Sequence, residues 1–365
     1  MLGLDRVADI TRLERLKEFD NHELVSLACD DSNHLTAVIA IHRAHPDVPS
    51  FGATRFWHYA SSIDGVKDAL RLSRLMSYKA ALAGLNCGGA KGVIISRGDP
   101  YTLKKAVRDR LLRAYATRVN LLGGRFVTGI DVGIRQEDLG TMSNASRHIV
   151  GFNGNSTEFT ALGVFESIRA ALQEVFGDGD FSGRSVAIQG LGKVGSGVLA
   201  LLYEPVGATG KIYVADIDPS RVESTCTAYP RVIPVMPEEI DAQQVDVFVP
   251  CALSGAINTK NAKRLQAKIV AGGANNQLEN EAVGAILHER KILYVPDYVA
   301  NAGGLIAVFD EYKHPSYDRA RVEKAVLHIP ETLRKIFAES RAENTTPNKV
   351  ANSMAEQVFN NYHDS

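Results

Sequence analysis

The chain has 365 residues, is 45% hydrophobic and 23% charged, and carries a formal net charge of −1. That is the profile of a soluble globular protein with room for two cores, and it excludes a bulk electrostatic pull toward nucleic acid or an anionic membrane. No apolar run approaches the ~20 residues of a membrane span. The four cysteines, Cys29, Cys87, Cys226 and Cys251, form no C-x-x-C pair. With no signal-peptide layout at the start, a cytoplasmic protein with reduced thiols is expected. His42 and His45 stand three apart, but no further ligand spacing joins them, so no metal site is expected.

In chain order, residues 1 to about 20 read as a charged helix with Leu13, Leu16 and Phe19 on its apolar side. The branched run from His34 to His42 reads as a strand. Gly52 to Tyr59 opens on glycine and holds the only tryptophan, Trp57. A helix is predicted from Ser62 or Asp64 to a stop at Gly84, then a short strand over Val93, Ile94 and Ile95. Another helix covers 102–122, and Phe126 to Asp131 reads as a strand ending on a carboxylate. The glycine- and asparagine-rich stretch 151–156 reads as a hinge. It divides a first α/β domain, 1–150, from a second, 151–334, with a C-terminal helix of about 335–365 packing back on the first. An amphipathic helix runs from Thr160 to Phe176, closed by Gly177. Strands at 185–189, 211–215, 245–249, 268–271 and 292–295 then alternate with helices, the signature of a doubly wound parallel sheet. Helices over 317–340 and 348–362 end the chain.

Two lysines stand out, Lys79 in the last turns of one helix and Lys91 just after Gly88-Gly89-Ala90. The glycines read as a loop whose bare backbone can approach a small ligand. Two ammonium groups brought together repel, and burial disfavours charge on both, so one pKa should fall. A lysine so perturbed can act as a base near neutral pH, while the other holds a carboxylate.

The strand at 185–189 runs into Gly190-Leu191-Gly192-Lys193-Val194-Gly195, a G-x-G-x-x-G turn between strand and helix. The first glycine permits the turn, the second admits a pyrophosphate and the third lets helix and strand pack. Asp216 ends the next strand, where a carboxylate accepts from a ribose 2′-hydroxyl and repels a 2′-phosphate. NAD is therefore expected over NADP, with Arg221 nearby to soften the exclusion.

These features, with G-A-T-R-F-W, S-Y-K, G-G-A-K-G, I-D-V-G, P-C-A-L, G-G-A-N-N-Q and P-D-Y-V-A-N-A-G-G in order between Val38 and Glu311, resemble the glutamate/leucine/phenylalanine/valine dehydrogenase family. The resemblance implies a two-domain enzyme that converts an L-amino acid, NAD and water to a 2-oxo acid, ammonia and NADH in a cleft between the domains. It implies that Lys79 clamps the substrate carboxylate, that Lys91 activates water and that Asp131 exchanges protons with the amino group. Gly88 and Asn276 would orient the substrate. Thr160 and Asn301 would meet the nicotinamide, Ile217, Ala252, Gly273, Ala274 and Asn275 the rest of the cofactor, and Cys251 would pack beneath it.

By the same resemblance, Phe51, Gly52, Met76, Gly129, Leu305 and Val308 line the side-chain pocket. Glutamate enzymes carry a lysine at the position of Phe51 and a serine at that of Val308, so a side-chain carboxylate would be buried unpaired here. Gly129 is expected to deepen the pocket, and Phe51 and Met76 to pack on a ring. An aromatic substrate is implied, tryptophan ahead of phenylalanine or leucine. A homodimer built through the first domain is expected, because the longer basic tail of leucine-type members is absent.

Overall fold

The computed structural model describes residues 13–153, 156–252 and 255–362. The chain forms two compact units, one built from Met1–Gly154, Val308–Tyr317 and Ala355–Ser365, the other from Asn155–Ala307 and Asp318–Met354. Of the C-terminal stretch 335–365, residues to Met354 thus group with the second unit and those from Ala355 with the first. Among the described residues no helix is long and apolar enough to cross a membrane.

The first unit holds β1 (Leu24–Asp30), β2 (Leu35–Arg43), β3 (Ser50–His58), α1 (Ser62–Leu82), β4 (Gly89–Ser96), α2 (Lys105–Leu121), β5 (Phe126–Ile130) and α3 (Gln136–Ser143). The sheet order is β1-β2-β4-β3-β5. The β1–β2 and β2–β4 pairs are antiparallel, while β3 runs parallel to both β4 and β5. Both faces of the sheet are covered, so β2 is apolar almost throughout instead of alternating. Val38, Ala40 and Val93 face Val66, Ala69 and Leu70 of α1. Ile39, Ile41, Phe56 and Ile94 face Leu111, Leu112, Tyr115 and Val119 of α2.

Several expectations change here. Of the helix expected over 1–20, residues 1–12 lie outside the described residues, and Leu13–Arg15 forms only a 3-10 turn. Leu13, Leu16 and Phe19 still pack on the α1-side core. Of the expected loop Gly88-Gly89-Ala90 only Gly88 lies outside a strand, because β4 begins at Gly89 and holds Lys91. A Cβ on Gly89 would stand 1.9 Å from the backbone nitrogen of Ser77. The glycine is there so that α1 can lie directly on β4. Pro100–Thr102 forms a separate 3-10 turn before α2. Strands β1 and β8 and helix α3 were not anticipated.

The second unit opens with α4 (Ser156–Phe176), which starts four residues before the expected Thr160. It continues with β6 (Ser185–Gln189), α5 (Lys193–Val206), β7 (Lys211–Ala215), α6 (Pro219–Ala228), β8 (Val232–Pro234), β9 (Val247–Pro250), α7 (Thr259–Arg264), β10 (Ile269–Val270), α8 (Glu281–Glu289), β11 (Leu293–Tyr294), α9 (Asp297–Ala300) and α10 (Gly303–Lys313). Where one helix was expected over 317–340 there are two, α11 (Arg319–Val326) and α12 (Ile329–Glu343), with Pro330 in the first turn of the second. The last helix is α13 (Pro347–Asn360). The six strands are all parallel, in the order β11-β10-β9-β6-β7-β8. The order reverses between β6 and β9, which makes their carboxyl ends the place where a doubly wound sheet takes a ligand.

Candidate active site and dinucleotide turn

In β4 the side chains alternate across the sheet. Ala90 and Ile94 belong to the α2-side core and Val93 to the α1 side, which puts Lys91 on the α1 face. In β3, Phe56 belongs to the α2-side core, so Arg55 shares the α1 face with Lys91. The β3–β4 register sets Arg55 opposite Val93, two residues beyond Lys91.

Asp131 follows the last residue of β5 and meets both cations. Its Oδ2 accepts from Lys91 Nζ at 2.9 Å and from Arg55 Nε at 2.8 Å. Its Oδ1 has no protein partner among the described residues. Arg55 continues through Nη1 to Asp68 Oδ2 of α1 at 2.8 Å, and Asp68 also accepts from Tyr59 and Arg71, each at 2.6 Å.

Lys91 is 5% exposed. Burial pushes its ammonium pKa down; Asp131 opposes this and the Arg55 charge adds to it. Burial alone would raise the Asp131 carboxyl, but the charges of Lys91 and Arg55 overcome it and hold the pKa at about 2. Arg55 is thus a cation that presses on Lys91. Arg55 sits inside the G-A-T-R-F-W motif, which by itself assigns it no role. Only the β3–β4 register, which puts it on the same sheet face as Lys91, reveals it.

Lys79 lies partly buried in the last turn of α1, the helix that rests on Gly89. Gly88 is buried and its carbonyl accepts from Phe51 N–H at 2.9 Å. Phe51 is fully buried with its ring edge-on to Phe309 and Tyr312, centroids 5.0 and 5.2 Å apart. Met76 is partly buried on α1 with its backbone against Gly89, and Gly52 packs on the Ala90 carbonyl. The Cβ that Gly129 lacks would stand 3.1 Å from the Val150 carbonyl oxygen and 3.6 Å from Val150 Cγ2. The absence of a Cβ there makes room for the segment that pairs with Thr128.

In the second unit Gly190 adopts a φ of +94°, and Gly195 comes so close beneath it that a Cβ would stand 1.9 Å from the Gly190 carbonyl oxygen. The N-terminus of α5 thus opens directly from the turn, as pyrophosphate binding needs. Lys193 is exposed and Val194 partly buried there. Asp216 Oδ2 accepts from Leu191 N–H at 2.7 Å and Oδ1 from Asp218 N–H at 2.9 Å, which fixes the carboxylate at the lip of the turn. Ile217 beside it is 86% exposed. Arg221 Nη1 lies 3.8 Å from Asp216 Oδ2 and 3.8 Å from where a Gly192 Cβ would be.

Cys251 follows β9 under the turn, its sulfur accepting from Gly273 N–H at 3.4 Å. Burial pushes the thiol up to about 11, so it is a packing group and a poor nucleophile. Ala252 and Asn275 are exposed and Ala274 is buried. Asn301 donates to Asn275 Oδ1 at 3.0 Å and to Gly273 O at 3.3 Å, leaving its buried Oδ1 without a hydrogen-bond partner. Asn276 is in the left-handed region, φ +52°, with Nδ2 buried and unpartnered. Thr160 packs against Gly304, its hydroxyl donating to Ser156 O at 2.7 Å. Leu305 is buried and Val308 partly buried on α10. A bare turn, an anchored carboxylate and orphaned amide atoms fit a nicotinamide dinucleotide. Among the described residues no group of three or more His, Cys, Asp or Glu is placed to hold a metal ion.

The sequence signature of the Glutamate/Leucine/Phenylalanine/Valine dehydrogenase family matches residues 215–358, and that of the Glu/Leu/Phe/Val dehydrogenase dimerisation domain matches residues 21–148. An L-tryptophan dehydrogenase of Nostoc punctiforme is 42% identical over 344 residues, 93% of this chain and 94% of that protein. A valine dehydrogenase of Streptomyces albus is 40% identical over 345 residues, 92% of each. The crystal structure of L-tryptophan dehydrogenase from Nostoc punctiforme superposes with a TM-score of 0.79 at 40% identity, covering 94% of this chain and 97% of that one. Enzymes of this kind are in general NAD(P)-dependent. With both halves matched and such identity along nearly the whole length, the chain belongs to the glutamate/leucine/phenylalanine/valine dehydrogenase family and is an amino acid dehydrogenase.

Proposed function

We propose that the enzyme oxidatively deaminates an aromatic L-amino acid, foremost L-tryptophan, with NAD, giving the 2-oxo acid, ammonia and NADH. The observation that carries the chemistry is Lys91 Nζ at 2.9 Å from Asp131 Oδ2, on a lysine 5% exposed. Oxidation needs a neutral amine, and the free Oδ1 of Asp131 is the acceptor for its proton. The bound dinucleotide supplies the hydride acceptor for the substrate's Cα–H. Water then adds to the imine, and Lys91, its ammonium form disfavoured by burial, takes the water proton. Asp131 returns its proton to the amine and, again a carboxylate, takes the carbinolamine hydroxyl proton as the C–N bond breaks and the carbonyl forms. Lys79 holds the substrate carboxylate as a charged group, and the buried Nδ2 of Asn276 offers a second donor.

The preference for an aromatic side chain rests on the tryptophan-specific relative and on the ring cluster of Phe51, Phe309 and Tyr312, where glutamate enzymes would need a cation. NAD over NADP rests on Asp216, held by two backbone N–H groups. A dimer through the first unit accords with the dimerisation-domain match over 21–148. Initial rates of NADH formation with L-Trp, L-Phe, L-Leu, L-Val and L-Glu, each with NAD and NADP, test the proposal. L-Trp with NAD should give the highest kcat/KM. A valine- or leucine-first ranking overturns the substrate, and no turnover with any of them overturns the reaction.

A further inference from the structure

The cations and anions around Asp131 do not balance when Lys91 is protonated. Lys91, Arg55 and Arg71 face Asp131 and Asp68 in one connected set, Lys91–Asp131–Arg55–Asp68–Arg71, with the Tyr59 hydroxyl on Asp68. Three positive charges then meet two negative ones. When Lys91 is neutral the set balances at two and two. Glu18, Asp64 and Lys67 line the same groove as Arg55, Tyr59, Asp68 and Arg71, but among the described residues none of them forms an ion pair with a member of the set.

The geometry at Asp131 sharpens the point. Lys91 and Arg55 use one carboxylate oxygen, Oδ2, at 2.9 and 2.8 Å. Arg55 is always charged, whereas a lysine can give up its proton. Arg55 is also held from behind by Asp68 at 2.8 Å, with side chains 16% and 12% exposed, so it cannot swing away from Oδ2. Of the two cations, only Lys91 has an alternative to competing for that oxygen.

We propose that Arg55 is a positioning residue for deamination: braced by Asp68, it occupies Oδ2 of Asp131, turns Oδ1 toward the substrate amine and drives Lys91 toward its neutral, basic form. This deepens the proposed reaction and rests on it. Arg55 does not touch the reacting atoms; it sets the charge on one group that does and the orientation of the other.

The test is the pH profile of kcat/KM of the full-length enzyme with L-tryptophan and NAD, for wild type, Arg55→Met, Arg55→Lys and Asp68→Asn. Removing the Arg55 charge should move the acid limb about one pH unit upward, because Lys91 then keeps its proton longer. Arg55→Lys should restore most of that shift. Asp68→Asn removes an anion instead, so its limb should move the other way, by about half a unit. Lys91 is followed without turnover through the titration of its signal in [ε-13C]lysine-labelled protein, which should shift in the same directions. If Arg55→Met does not fold, by circular dichroism, the Asp68→Asn shift decides. A folded Arg55→Met with the limb and the lysine titration unmoved overturns this proposal, as does an Asp68→Asn limb that moves up. A wild type without turnover on any L-amino acid is a different failure, that of the reaction itself.

Discussion

Replacing Asp131 with asparagine keeps the shape of the side chain and removes its charge. In the structure the Lys91 ammonium lies 2.9 Å from Oδ2. At an effective dielectric constant of ~20, unit charges at that separation attract by about 6 kcal/mol, equivalent to about four pKa units on the lysine. The Asp131 side chain is 15% exposed, and water at its open edge screens the pair, so a shift of about two units is expected to survive. The sign is fixed. Without the anion, and with Arg55 still charged beside it, the Lys91 ammonium loses its partner and its pKa falls further. The acid limb of kcat/KM should therefore move down by about two pH units. The plateau should fall at least about 100-fold, since the amine no longer finds a proton acceptor at Oδ1. Initial rates of NADH formation at subsaturating L-tryptophan between pH 6 and 10 read both quantities. A limb that stays in place or climbs would refute the argument, because it would mean that Asp131 does not hold the proton on Lys91. A plateau near wild type would refute the proton-acceptor role separately.

Three further outcomes follow from the coordinates. Gly129→Ala meets the Val150 carbonyl oxygen at 3.1 Å; it should cost about 1 kcal/mol in denaturant unfolding and leave the ratio of kcat/KM for L-tryptophan over L-valine unchanged. A ratio moved about tenfold would put that methyl in the substrate pocket. Burial pushes His22 down to about 4 from an ordinary value of 6.5. Its contribution to stability is intact above pH 6.5, where both states are neutral, and is lost as the pH falls toward 4 and the unfolded chain takes up the proton first. The loss should reach about 3 kcal/mol by pH 4, and chemical denaturation of His22→Gln should show that slope flattened. Asp216→Ser should raise the ratio of NADP to NAD in kcat/KM by about tenfold or more, since it removes the charge facing a 2′-phosphate and leaves Arg221 in place. An unchanged ratio would place the discrimination elsewhere.

Which parts of this structure the sequence discloses follows from how local their causes are. Strands β6 and β7 are located to the residue, because a glycine-bounded run of branched residues is a local signal. β8 and β1 carry weaker signals: Val232–Pro234 has only three residues, and Leu24–Asp30, though seven long, is an edge strand with a mostly half-buried pattern. The break between α11 and α12 comes just before Pro330, in a stretch whose composition is otherwise helical throughout. In the candidate site, Lys91 and Asp131 are legible as residue types at strand and strand end. Arg55 is not, because an arginine in a strand reads as a solvated side chain until the register shows which face it occupies and which carboxylates face it there.

The glycines of β4 show the same limit from the other side. A G-G-A-K-G run viewed alone is most economically a loop, since glycine weakens a strand. That reading fails because the penalty is set by what lies above the strand. With Ser77 of α1 where a Gly89 Cβ would need to be, and Tyr115 of α2 where a Gly92 Cβ would need to be, 1.9 Å away in each case, helices close on β4 from both faces. Lys91 lies between these two contacts, and their closeness accounts for its being 5% exposed. A loop would have hydrated the ammonium and left its pKa alone. In a strand pressed between two helices the same residue has no water to stabilise its charge and one shared carboxylate to rely on, which are the conditions under which a lysine becomes a base.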